Sequence, residues 1–142
     1  MAAWGWSWLV VLLSACLLGC GRPPVAVRGD VTYANEPVRD GVIRLHPLNG
    51  TPGYGAAATI ENGQYAIGSK EGLAAGTYLV DITATKETGR TVPRLDIEPG
   101  GPTTIREVIQ YIPSRYNAES GLRVEVSGPD EVRSFDLKPV PK

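Results

Sequence analysis

Few side chains in this sequence are equipped for acid–base, nucleophilic or metal chemistry. His46 is the only histidine among 142 residues, and Cys16 and Cys20 are the only cysteines. A two-histidine metal site therefore cannot be built. A Ser-His-Asp set is arithmetically available, but His46 lies in an alternating stretch beside Pro47, with no nucleophile-elbow pattern around it. It reads as a surface histidine. No Asp-rich calcium loop is present, and Asp130-Glu131 reads as a solvated turn. No catalytic residue, metal ligand or cofactor is expected. The chemistry left is stacking, in which an exposed aromatic ring packs on a ligand such as a sugar. Trp4, Trp6 and Trp8 all fall within the first twenty residues. Tyr33, Tyr65, Tyr78 and Phe135 sit at core positions of the patterns below. Tyr54, Tyr111 and Tyr116 remain as candidates for ligand stacking, with local packing as the alternative for each. Tyr116 also suits a corner role, pinning the turn before Leu122.

Cys20 is a different case. Met1 to Cys20 carries no charged side chain, and Trp8 to Leu18 is an eleven-residue apolar run. That length suits the h-region of an export signal and is short for a membrane span. Leu17-Leu18-Gly19-Cys20 closes the run with a small residue before cysteine, and so resembles the lipobox of bacterial lipoproteins. The resemblance implies a signal peptide over residues 1–19, cleavage before Cys20, a diacylglyceryl group on its thiol and an acylated new amine. Two departures are visible: the n-region lacks Lys or Arg, and Leu18 is large for its position. An uncleaved anchor or a plain secretory signal would export the chain as well, although Ser14-Ala15-Cys16 fits an A-x-A site poorly.

Residues 20–142 have the length of one domain with one core. All 14 basic and 15 acidic residues lie there, with no run of one sign, so neither a nucleic-acid surface nor a polybasic membrane patch is indicated. With Cys16 removed and Cys20 lipidated, the domain is expected to hold no disulfide, and packing must stabilise it.

Gly21-Arg22-Pro23-Pro24 reads as a stiff tether. From Val25 the apolar residues recur every second position, the period of a half-buried strand. Val25, Val27, Val31 and Tyr33 share one face. Asn35-Glu36-Pro37 then turns the chain. Ile43 and Leu45 point inward from a second strand that Pro47 ends, and Gly55 to Ile60 makes an Ala-rich third. Asn62-Gly63 is a strong hairpin signal before Tyr65 and Ile67. Tyr78, Val80, Ile82 and Ala84 mark the clearest strand. Glu87 to Thr104 is long, polar and rich in Pro and Gly, which predicts a mobile loop. Ile105 to Ile112 reads as a strand or a loose edge. Leu122, Val124 and Val126 form another strand, and Phe135 and Leu137 the last. Pro139 to Lys142 is a polar tail.

Short strands at this spacing, with no convincing helix, predict an all-β antiparallel sandwich of seven or eight strands over residues 25–138. A small barrel fits the same pattern. Val27-Arg28-Gly29-Asp30-Val31, Glu36-Pro37-Val38, Glu61-Asn62-Gly63-Gln64-Tyr65 and Ala75-Gly76-Thr77-Tyr78-Leu79-Val80 resemble carboxypeptidase regulatory-like domains. Ile112-Pro113-Ser114-Arg115-Tyr116-Asn117, Ser120-Gly121-Leu122-Arg123-Val124 and Phe135-Asp136-Leu137 resemble a family of small planctomycete lipoproteins. Ile60 and Asp40-Gly41 depart from the usual pattern at turns. The resemblance implies a transthyretin-like, Ig-like sandwich with no catalytic residues to transfer. Transthyretin-like hydrolases use several histidines and a distinctive C-terminal tetrapeptide that Lys138-Pro139-Val140-Pro141-Lys142 lacks. Related modules with Lys–Asn isopeptide bonds need an amine where the first strand offers Arg28, and a guanidinium cannot replace it. The expected function is a lipid-anchored, non-enzymatic cell-envelope module that binds an envelope partner or serves structurally. Glycan binding through tyrosines is the alternative, and a cryptic hydrolase a distant third.

Overall fold

The computed structural model describes residues 25–96 and 99–141. Ten strands follow one another: β1 (Ala26–Tyr33), β2 (Glu36–Pro37), β3 (Asp40–Pro47), β4 (Ala56–Glu61), β5 (Gln64–Ile67), β6 (Gly76–Pro93), β7 (Thr104–Gln110), β8 (Arg123–Val126), β9 (Asp130–Val132) and β10 (Phe135–Leu137). Two short 3-10 turns, Ser69–Glu71 and Ser114–Tyr116, are the helical elements among the described residues. The all-β, sandwich-like architecture expected from the alternation is present. One sheet, ordered β10-β1-β5-β4-β3-β6-β7, curls into a half-barrel around a single core.

The alternation places the core as read from the sequence. Val27 and Val31 of β1, Ile43 and Leu45 of β3, and Tyr78, Val80, Ile82 and Ala84 of β6 are all buried. Their neighbours in sequence face outward, because successive strand side chains point to opposite faces. Tyr78 satisfies its buried hydroxyl locally, donating to the Ala74 carbonyl at 2.9 Å and accepting from the Ala74 N–H at 3.0 Å. Asn62 (φ 50°) and Gly63 (φ 84°) make the tight β4–β5 hairpin their types signalled. The first turn falls one residue early: Ala34 (φ 53°) and Asn35 (φ 66°) form it, with Tyr33 paired to Glu36.

Pairing is antiparallel except at two of the four pairings of β1. There β9 and β10 run parallel to it in one shared register, Ala26 opposite Asp130 and Tyr33 opposite Leu137, with an interruption at Arg133-Ser134. Counted as one broken strand, β9 and β10 bring the tally to nine, against the seven or eight expected.

The polar, Pro-containing segment from Glu87 is not the mobile loop the sequence predicts. β6 continues to Pro93 and pairs with β7, from Thr85 opposite Gln110 to Pro93 opposite Thr104. Gly89 (φ 81°) sits in a register shift between Glu87 and Thr91, where an extra-residue bulge suits positive φ. Arg90 bonds Glu107 at 2.8 Å and Arg106 bonds Glu87 at 2.8 Å across the two strands. Cross-strand charge pairs and backbone ladder thus replace apolar burial in this ribbon. Beyond Ala84 no third strand among the described residues covers it, and Ile105, Val108 and Ile109 are exposed.

The strand directions fix two ends. The base holds Val25, the start of β6 and the loops at 48–55 and 68–75. The far end holds the β1–β2 turn, the Asn62-Gly63 hairpin and the ribbon.

Candidate functional site

The three tyrosines singled out from the sequence do not converge. Tyr54 lies in the basal loop before β4 and is 85% exposed. Tyr116 closes the second 3-10 turn. Its hydroxyl accepts the Lys138 N–H at 3.0 Å, so it pins the C-terminal strand rather than the turn before Leu122. The Arg115 guanidinium lies over its ring at 4.8 Å, a cation–π contact. Tyr111 is at the far end, where its N–H donates to the Ala84 carbonyl at 3.1 Å.

Tyr111 belongs to a cleft of about 430 Å³ between the β1–β2 turn and the base of the ribbon. Tyr33, expected in the core, is only half-buried and forms the second wall. The two rings meet edge to face, centroids 5.6 Å apart at 65°, the geometry that aligns ring quadrupoles favourably. The Lys86 ammonium lies 5.2 Å from the Tyr111 centroid, a cation–π contact. Glu36 and Arg39 complete the rim. Burial pushes the Tyr111 phenol up from its ordinary pKa, and Tyr33, Asp40 and Glu36 add to the shift. The cleft thus combines a rigid aromatic wall with charged groups of both signs, which suits a ligand that stacks and accepts directed hydrogen bonds.

Tyr33, Glu36, Arg39 and Lys86 were not legible as site residues. One signal existed: Tyr33 is the last residue of its strand, directly before a turn, and that position is a rim rather than an interior.

A larger depression of about 710 Å³ lies over the outward faces of β1, β4 and β5, lined by Arg28, Asp30, Thr59, Glu61 and Gln64. It is shallow, and its one aromatic, Tyr65, is buried with its hydroxyl donating to the Arg133 carbonyl at 2.7 Å. It offers no free ring to stack on, so the smaller cleft is the better site.

His46 stands on the outer face of β3, half-exposed, with Nε2 2.7 Å from Asp81 Oδ2. Arg44 donates to the other Asp81 oxygen at 3.3 Å. Among the described residues no serine hydroxyl bonds to His46, and no three His, Cys, Asp or Glu side chains converge as a metal site. Glu131 is not merely solvated: its carboxylate accepts from the Ser127 N–H (2.5 Å), the Ser127 hydroxyl (3.0 Å) and the Gly128 N–H (2.6 Å). Cys20 lies outside the described residues. No family model, curated protein or solved structure matches the chain.

Proposed function

We propose that the protein is a lipid-anchored component of a bacterial cell envelope, whose sandwich-like domain is a non-catalytic binding or structural module of the carboxypeptidase regulatory-like kind. The observation that carries this reading is how soon after Cys20 the chain is packed into the domain. Val25 is 2% exposed at the start of β1, and the Ala26 N–H already donates to the Pro129 carbonyl at 2.9 Å. Only five residue steps separate it from Cys20, a reach of at most about 18 Å. A lipid on Cys20 would therefore hold the base of the domain close against the bilayer. One acyl chain binds reversibly, and two or three hold a protein stably.

Mass spectrometry of the membrane-bound protein tests this. The expected species begins at Cys20 and carries diacylglyceryl and N-acyl groups, and Cys20→Ala leaves an unprocessed precursor or releases the domain. An intact Met1, or a free thiol at Cys20, overturns the proposal.

Glycan binding is the second reading, and the cleft at Tyr111 favours it. Tyr54 lies at the base and the Tyr116 hydroxyl is engaged by the Lys138 N–H, so neither joins that cleft. A hydrolase finds no support at His46, whose paired partner Asp81 is shared with Arg44.

A further inference from the structure

We propose that the cleft between the β1–β2 turn and the base of the β6–β7 ribbon binds a neutral pyranose ring, stacked on the Tyr33–Tyr111 wall and hydrogen-bonded by Glu36, Arg39 and Lys86. The proposal rests on the glycan reading above and gives it a place, a ligand class and a set of contacts.

Three observations carry it. The first is the wall: Tyr33 and Tyr111 are locked against each other at the end of the core, so a stacking ligand meets a surface that is already ordered. Such preorganisation removes much of the entropy cost of binding. The cleft volume lies within the range of about 300–1,000 Å³ typical of small-ligand sites.

The second is an unspent set of polar groups. Several other charges are used within the fold, as in Arg28–Asp130, Arg44–Asp81, Arg90–Glu107 and Arg106–Glu87. Among the described residues the side chains of Glu36 and Arg39 make no hydrogen bond or ion pair, and Lys86 contacts only the Tyr111 ring. Carboxylate, guanidinium and ammonium together supply acceptors and donors, which is what the vicinal hydroxyls of a sugar require.

The third is the mixed charge of the lining, which bears on the class. Arg39, Lys86 and Glu36 all line the cleft. The carboxylate stands among the two cations, so an anion brought to them also meets a negative charge. A uronate or a phosphate would therefore meet a repulsion that a neutral ring does not.

The site also opens at the end remote from Val25. A glycan can approach it without passing between the domain and the surface that holds its base.

Saturation-transfer NMR of the full chain in zwitterionic micelles, with chitotetraose, cellotetraose, maltotetraose and an oligogalacturonate, tests the proposal. At least one neutral tetrasaccharide should receive saturation, chiefly on the C–H protons of one ring face. Alanine at Arg39 or Lys86, both exposed and outside the core, should weaken binding several-fold. Tyr111→Phe should retain it, Tyr111→Ala should weaken it by about tenfold or more, and Tyr54→Ala should leave it unchanged. Neutral-glycan binding indifferent to Arg39→Ala, Lys86→Ala and Tyr111→Ala would overturn this site and leave the glycan reading in place. Selective binding of the galacturonate would overturn the ligand class. Binding of none of the four saccharides would overturn the site together with the glycan reading, while lipidation at Cys20 is decided separately by mass.

Discussion

At the residue scale, the contacts hardest to read from sequence are those made across great distance along the chain. Gly29 shows this. A glycine inside a strand signals close backbone approach, and the alternation around it was plain. What approaches is the Arg133 carbonyl, which would stand 2.0 Å from a Cβ built on Gly29. The interruption between β9 and β10 passes directly over this glycine, and Tyr65 donates to the same carbonyl. Glu131, read as part of a turn, likewise organises the approach to β9. The Ser127 N–H leads the hydrogen bonds that hold its carboxyl below the usual glutamate range, with the Gly128 N–H, the Ser127 hydroxyl and Arg133 contributing. A depressed folded pKa means that the stabilisation is present above the unfolded glutamate value and is lost as pH falls through the folded value. Glu131→Gln should therefore cost about 1–2 kcal/mol at pH 7, the scale of charge-assisted hydrogen bonds. The gap to the parent should close as pH drops below about 4. Thermal melts of both proteins at pH 7 and pH 3 check this; an unchanged gap would show that the carboxylate charge is not what matters.

At the scale of elements, alternation was legible wherever a strand faces the core and illegible where it does not. Tyr78 to Ala84 was read correctly because burial forces every second residue to be apolar. Seven residues further along the same strand, nothing is buried, and Thr, Glu, Gly and Arg satisfy the ladder equally well. The signal that survives there is charge: Glu87 and Arg90 find Arg106 and Glu107 only if the segment folds back on itself. Such pairs cannot be matched before the register is known. The two halves of β6 should accordingly respond in opposite ways. Ile82 is fully buried, so Ile82→Ala should cost about 2–5 kcal/mol through the cavity it leaves. Replacing residues 86–109 with Asn-Gly, joining Thr85 to Gln110 by a two-residue turn, should change stability by no more than about 1 kcal/mol, because an isolated two-stranded ribbon is itself marginally stable. Ribbon amides should exchange more slowly than a loop and faster than those of Tyr78 to Ala84. A deletion as harmful as Ile82→Ala would mean that the ribbon supports the core.

At the scale of the whole molecule, fold class was legible because it depends on period and turn chemistry, which are local. The cleft was not, because it forms where three separated segments meet at one end of the half-barrel. The same strand directions make the molecule polar, and that polarity is testable. β1 and β6 both start at the base, and β6 is 18 residues long. At roughly 3.3 Å per residue its contour is at most about 56 Å, which sets the tip of the ribbon far from its own first residue. If Cys20 is lipidated, at most about 18 Å of chain joins the base to the bilayer, so the basal loops should lie near lipid and the ribbon tip far from it. Lys70, exposed in the basal 3-10 turn, and Leu95, fully exposed beyond Pro93, are suitable reporters. Single cysteines at these positions, labelled with a donor dye on the vesicle-bound protein, should transfer energy to acceptor lipids strongly from position 70 and weakly from position 95. Inserting a long flexible Gly/Ser spacer after Gly21 should lower transfer from position 70, since the base would then sample greater heights. Equal transfer from both positions would mean that the domain lies flat on the bilayer. Stronger transfer from position 95 would mean that the ribbon, not the base, faces the membrane.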